Sequence, residues 1–319
     1  MTIQIIILII GFIFLIKGAD IFVDGASCTA RHLKLSKMFV GLTIVAFGTS
    51  APEFAVSCKS LLSGSSDLVL GNVIGSNITN ILLILGVGVV INPITIKNNT
   101  VKKEIPLCLL ITLLLTSLFL DNILGIGNNN TITKGDAISI LLFFTVFMYY
   151  IITISKNKLD KNSDNDEDIK YGIAKSIIFI IIGIIGIVLG SNMVVNSSTT
   201  IARLLGISER IISLTIIAIG TSLPELATTI ISSIKKEQDI LVGNIIGSNI
   251  FNIGIVLALP ALMFGNVTSS NFNSTDILFF ILSPILLLLF SRSEYKISKL
   301  EGLSFIIIYL IYYMLIFIL

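Results

Sequence analysis

Long apolar stretches alternate with short polar breaks along this chain, and the stretches reach the roughly 20 residues that an α-helix needs to cross a bilayer. Ten such spans fall near 3–28, 37–62, 68–91, 104–123, 136–155, 172–198, 210–234, 239–263, 274–291 and 301–318. An all-α integral membrane protein is predicted, because helical hydrogen bonding satisfies every backbone group within its own segment. Residues 155–171 break the pattern with a polar run of mixed charge, which reads as a linker. It separates a first transmembrane repeat, 1–154, from a second, 172–319, with five spans in each.

The two halves are copies. GTSAPE at 48–53 returns as GTSLPE at 220–225, and GNVIGSNITN at 71–80 returns as GNIIGSNIFN at 243–252, both displaced by 172 positions. The same frame pairs Gly11 with Gly183 and Gly18 with Gly190. Because each copy holds an odd number of spans, the second enters the membrane the other way up. The predicted architecture is therefore a pair of inverted repeats with a site at their midplane interface.

Charge orients the chain. Fifteen Lys and Arg residues lie in the loops after spans one, three, five, seven and nine or in the linker, against Lys134, Arg203 and Arg210 on the other side. The positive-inside rule then puts both termini outside the cell membrane. A content of 54% hydrophobic and 13% charged residues agrees with a multi-pass protein, and a net charge of +2 spread over short loops gives no nucleic-acid patch. The first apolar run starts at Ile3 with no basic residue before it and is too long for a cleavable signal peptide. Cys28, Cys58 and Cys108 lack CxxC spacing and read as packing residues.

The repeated motifs carry the chemistry. Glu53 and Glu225 sit about 16 residues into their spans, near the bilayer middle. An ionised carboxylate there costs about 2.5–3.5 kcal/mol, and a cation held between two of them removes that cost. Pro52 and Pro224 precede the glutamates, and each should free the carbonyl four residues earlier, at Gly48 and Gly220, to turn inward. Ser76, Asn77 and Asn80, with Ser248, Asn249 and Asn252, add neutral oxygens along the GNxIGSN helices. Carboxylate, hydroxyl, amide and carbonyl oxygens suit hard cations such as Ca²⁺ or Na⁺. No resident cofactor is expected, and no phosphate loop, GxSxG elbow or HExxH motif occurs. Lys17 and Asp20 read as an intrahelical pair, and Asp24, Lys59 and His32 as span-end residues. The glycosylation sequon Asn98-Asn99-Thr100 falls on the inner side and reads as chance. Gly11, Gly18 and Gly25, with Gly183, Gly186 and Gly190, line one side of the first and sixth spans, the surface that sliding gate helices would use.

At these motifs the chain resembles the sodium/calcium exchanger branch of the cation/calcium antiporter superfamily, and looks like a compact prokaryotic-type member. The resemblance implies that Glu53 and Glu225 bind Ca²⁺ with oxygens of Thr49 and Thr221, while Ala46, Ser50, Ser76, Ala218, Ser222 and Ser248 contribute to flanking Na⁺ sites. It implies a Na⁺/Ca²⁺ antiporter, not an enzyme, working as a monomer by alternating access. Asn80 and Asn252 complete the candidate ligand set, and Asn252 stands where some relatives have aspartate, which makes a K⁺ requirement less expected. Gly75 and its copy Gly247 stand where the proton-coupled branch carries an acid, which favours Na⁺ over H⁺. A divalent cation/H⁺ antiporter of the same fold and a cation channel are the alternatives.

Overall fold

The computed structural model describes residues 1–120, 130–158, 171–206, 218–269 and 274–318. Linker residues 159–170, Arg210 and the opening of the span expected at 210–234 lie outside the described residues. The rest is almost entirely helical. In chain order the helices are α1 (Thr2–His32), α2 (Lys37–Thr49), α3 (Ala51–Leu62), α4 (Ser66–Ile91), α5 (Ile105–Phe119), α6 (Lys134–Lys158), α7 (Ile173–Leu204), the short α8 (Ala218–Gly220), α9 (Leu223–Ile234), α10 (Gln238–Phe264), α11 (Ser274–Arg292) and α12 (Lys299–Ile318). Among the described residues seven helices are long and apolar enough to cross a membrane, and an eighth crossing results if α2 and α3 are one span bent by 44°. The protein is a multi-pass membrane protein.

The bend between α2 and α3 follows from Pro52, which takes the first turn of α3, where a missing N–H costs nothing. Pro224 does the same for α9. π-turns at Gly41–Val45, Thr79–Leu85 and Asn252–Leu257 widen α2, α4 and α10 in and beside the repeated motifs. Such bulges are common at functional sites because they leave carbonyls outside the regular ladder.

Two short sheets clip loops together at opposite ends. β1 (Ile94–Thr95), after α4, pairs with β4 (Lys296–Ile297), after α11. β2 (Asn130–Ile132), before α6, pairs with β3 (Val267–Ser269), after α10. Gln238, at the start of α10, accepts from Thr95 N at 3.1 Å and donates to Pro93 O at 3.1 Å. The α10 helix runs 27 residues from there, about 40 Å, to β3, against which the first half of α4 packs. Thus α4 and α10, which carry the two copies of GNxIGSN, are antiparallel.

At the β1 end the basic loops meet. Lys37 binds Glu237 at 2.9 Å, Lys97 pairs with Asp239, and His32 Nε2 contacts Tyr171 O at 2.6 Å. Lys235 binds both Asp20 (2.7 Å) and Asp24 (2.6 Å). The expected Lys17–Asp20 pair is therefore corrected: Asp20 serves the long-range bond from α1 to the end of α9. Sequence proximity favoured Lys17, whereas the fold supplies a nearer cation.

Packing divides into two bodies. The large apolar cluster is built on α4, α5, α6, α10, α11 and α12 with Met38 and Leu42 of α2, whereas a smaller one joins Leu15, Phe22 and Ile187 of α1 and α7 to Val40 and Val45 of α2, Ala227 and Ile240. The glycines of α1 and α7 lie against each other. A Cβ added at Gly18 would meet Ile187 N at 2.7 Å and Gly186 C at 2.9 Å; one at Gly190 would meet Leu15 N at 2.5 Å and Gly11 O at 2.7 Å. Spacing by seven residues keeps these glycines on one seam, where close backbone approach replaces the hydrophobic drive that lipid removes. These glycines face each other across α1 and α7, so the close contact expected of them joins these two helices. Gly190→Val should overpack the seam and destabilise the protein by about 1–3 kcal/mol or more. Thermal unfolding in detergent checks this, and an unchanged midpoint would contradict the seam.

Candidate cation site

Among the described residues the repeated glutamates are the most deeply buried acids, with Glu53 at 1% and Glu225 at 0% exposure. Each sits in the first turn of its helix, Glu53 in α3 and Glu225 in α9, directly after the proline-marked break. Ser50 Oγ donates to Glu225 Oε1 at 3.4 Å, and the hydroxyls of Thr49 and Ser248 lie around the same carboxyl. Thr49 Oγ1 also donates to Asn244 Oδ1 at 3.1 Å and contacts Ser248 Oγ at 3.4 Å. On the other side Ser222 Oγ donates to Ser76 Oγ at 3.4 Å. Asn72 Nδ2 donates to the Glu53 carbonyl and to Ser57 Oγ, both at 3.2 Å.

Four asparagines bind α4 to α10 by a reciprocal ladder. Asn77 Nδ2 donates to Asn249 O at 3.2 Å, and Asn249 Nδ2 to Asn77 O at 3.4 Å. Asn80 Nδ2 donates to Asn249 Oδ1, and Asn252 Nδ2 to Asn77 Oδ1, both at 3.0 Å. In each pair of bonds the partners exchange places under the 172-residue shift. The helix seam repeats this reciprocity: Gly11 faces Val194, and Gly183 faces Phe22.

Several buried oxygens in this region have no hydrogen-bond partner: both carboxylate oxygens of Glu53, Glu225 Oε2, Asn80 Oδ1 and Asn252 Oδ1. All are acceptors, and a buried acceptor left unpaired costs about 1–3 kcal/mol, more when charged. Asn244 Nδ2 is a buried donor without a partner. Surplus acceptors built from carboxylate and amide oxygen are what a hard cation satisfies, and among the described residues no cluster of three or more His, Cys, Asp or Glu offers a soft-metal alternative.

The residues singled out from the sequence come together in part. Thr49, Ser50, Ser248 and Glu225 form one group, and Ser222 with Ser76 another, with Asn80 and Asn252 in the ladder between α4 and α10. Ala46 is fully buried and faces Gly247. Thr221 lies in the turn between α8 and α9, and the side chain of Ala218 lies outside the described residues. One expected carbonyl is directed elsewhere: Gly220 O accepts from Ser191 Oγ of α7 at 3.1 Å. The proline does free it from the helix ladder, but α7 takes it up. Asn72 and Asn244 were missed as site residues, although they occupy the second position of both GNxIGSN copies and so carried the same signal as the serines.

The family model for the sodium/calcium exchanger protein matches residues 3–153 and 175–318. The chain belongs to the sodium/calcium exchanger family. Two relatives cover it nearly end to end. CaxA, a putative antiporter of Alkalimonas amylolytica, is 36% identical over 99% of both chains, and the sodium/calcium exchanger MaX1 of Methanosarcina acetivorans is 31% identical over 99% of both. The fold is shared with the solved sodium-calcium exchanger NCX_Mj, at a TM-score of 0.83 and 30% identity over 97% of each chain. These relatives are exchangers and antiporters, which agrees with the expectation of transport.

Proposed function

We propose that this protein is a secondary antiporter exchanging Na⁺ for Ca²⁺ across the cell membrane by alternating access, as a monomer with both termini outside. In this reading ten spans form two inverted five-helix repeats, with the spans expected at 104–123 and 210–234 added to the eight crossings. The antiparallel run of α4 and α10 supports the inversion, as does the reciprocity of the asparagine ladder. The observation that carries the reading is the pair of buried glutamates from the two motif copies, whose oxygens are mostly without protein donors.

In this reading Glu53 and Glu225 are the central Ca²⁺ ligands, assisted by Thr49 and Thr221. Their two charges balance one divalent ion. Ser50, Ser222, Ser76 and Ser248, with backbone oxygen near Ala46 and Ala218, hold Na⁺ on either side, and Asn80 and Asn252 supply neutral oxygen. The deciding test is ⁴⁵Ca²⁺ uptake into proteoliposomes loaded in turn with Na⁺, K⁺ or H⁺. Uptake driven by internal Na⁺ alone supports the proposal; uptake driven only by H⁺ converts it to a divalent cation/H⁺ antiporter.

The coupling ion can be probed at Asn252. Its Nδ2 donates to Asn77 Oδ1, and Asn77 Nδ2 is committed to Asn249 O, so neither amide turns freely. Asn252→Asp replaces the donor with an acceptor facing Asn77 Oδ1. The introduced carboxyl keeps that bond only while protonated, or recruits a further monovalent cation. Na⁺-driven Ca²⁺ flux should be independent of K⁺ in the unmodified protein and become pH- or K⁺-dependent between about pH 5 and 8 in the variant. Identical profiles for the two would remove Asn252 from ion selection.

A further inference from the structure

Asn72 and Asn244 hold the second place of the two GNxIGSN copies, yet the two halves use them differently. In the first repeat the Asn72 amide donates to two acceptors on α3, the Glu53 carbonyl and Ser57 Oγ, both at 3.2 Å. Ser57 follows Glu53 by one helical turn, so the two acceptors stand side by side and one NH₂ group meets both. The bridge holds the backbone of Glu53 itself, in the first turn after the proline break, and so braces the root of its side chain.

Every member of this bridge has a counterpart 172 positions on, in Asn244, Glu225 and Thr229. There α9 packs against α10 as α3 packs against α4. The bridge is nevertheless absent. Asn244 Nδ2 and Thr229 Oγ1 are both buried without a partner, while Asn244 Oδ1 accepts from Thr49 Oγ1 at 3.1 Å and from Ser248 Oγ at 3.4 Å. A donor and a hydroxyl left unmet in the interior carry their full cost of desolvation, which a bond in a second arrangement would remove. The covering of the two halves differs as well. Ala227 of α9 is buried with Phe22 and Ala26 of α1, whereas its counterpart Ala55 of α3 is exposed. The uncovered half has the bridge, and the covered half lacks it.

We propose that Asn72 and Asn244 are positioning residues for Glu53 and Glu225 that take turns, a role that rests on the alternating access proposed above. In the state described here Asn72 braces Glu53 through Ser57. In the opposite state, with the cover moved from α9 to α3, Asn244 braces Glu225 through Thr229. The same residue types stand at both ends of the exchange, so the two arrangements draw on nearly the same set of bonds and lie close in energy. Exchanging the halves of an inverted repeat also exchanges the sides of the membrane.

Two substitutions that keep side-chain shape separate this role from packing. Ser57→Ala removes a bond made in the present state. Thr229→Val removes one made only in the opposite state, so the thermal midpoint of this variant should hold or rise. The reporter is Ala227→Cys in purified protein whose Cys28, Cys58 and Cys108 are alanine, labelled by a maleimide without Na⁺ or Ca²⁺. Ser57→Ala should speed labelling about fivefold, the effect of one net hydrogen bond on the population that uncovers α9, and Thr229→Val should slow it by a similar factor. The double variant should return to the starting rate. In proteoliposomes the ratio of the Ca²⁺ KM at the inner face to that at the outer face should fall with Ser57→Ala and rise with Thr229→Val, and this ratio decides alone if Ala227→Cys does not fold. Opposite labelling shifts in a protein that exchanges no Ca²⁺ would support the switch and remove the ion assignment instead. Equal rates in all four proteins, or shifts of one sign in both single variants, would overturn the proposal.

Discussion

Glu53→Gln and Glu225→Gln should each abolish the proposed Ca²⁺ exchange and leave a folded protein. Both carboxylates are buried, and their oxygens have few protein donors, so in the proposed site a bound cation would be their principal partner. Neutralising one leaves a divalent ion half-compensated where water cannot screen it. Breaking a buried charge pair in this way costs about 3–5 kcal/mol, or roughly 10²–10⁴ in affinity. Folding should not suffer, because glutamine fills the same volume and removes a buried charge rather than creating one. The measurement is Na⁺-driven ⁴⁵Ca²⁺ uptake beside a thermal melt without Ca²⁺. A variant that melts at or above the unmodified protein and yet transports at more than a tenth of its rate would exclude that glutamate as a central ligand.

How far the sequence disclosed this arrangement depended on the range of the interaction. Apolar runs of bilayer length are a local property, and accordingly seven of the expected spans are helices long enough to cross, from α1 at Thr2–His32 to α12 at Lys299–Ile318, whereas the proline break in 37–62 divides that span in two. The doubled motif pointed to Glu53 and Glu225 because a repeat frame shows which residues the halves share. Partners across the fold were less legible. Asp20 has a lysine three residues away in sequence, yet binds Lys235. Nothing local marks Gly220 O for the hydroxyl of Ser191. The glycine stripe showed that α1 and α7 have a tightly packed face, but not which helix it meets, since a small residue permits close approach by any neighbour. The asparagine ladder was half visible: the copied asparagines were evident, and their bonding to one another required the antiparallel crossing of α4 and α10.

The glycine seam also decides how the molecule would open. Because α1 and α7 touch through backbone along Gly11, Gly18 and Gly190, sliding between them would force atoms together, so the two should move as one body. Their contact with the remainder is a separate, smaller apolar cluster and a few polar ties, including Ser27 to Glu237 at 2.9 Å and Lys235 to Asp20 and Asp24. Such ties are exchangeable for water at the membrane surface, unlike the buried seam. Two crosslinks separate the possibilities, each in a protein whose Cys28, Cys58 and Cys108 are replaced by alanine. Ser27→Cys with Glu237→Cys, joined by a short bifunctional thiol reagent, pins the pair to the core and should reduce Ca²⁺ exchange to background, with recovery on reduction and with ⁴⁵Ca²⁺ binding retained. Gly11→Cys with Met193→Cys joins α1 to α7, where a Cβ on residue 11 would lie 2.9 Å from that of residue 193, so the helices must part by about 1 Å to reach disulfide geometry, at some cost in stability, but exchange should survive once the pair is oxidised. Normal exchange through the first crosslink would place the gate elsewhere, and a block by the second alone would mean that the two helices shear past each other during the cycle.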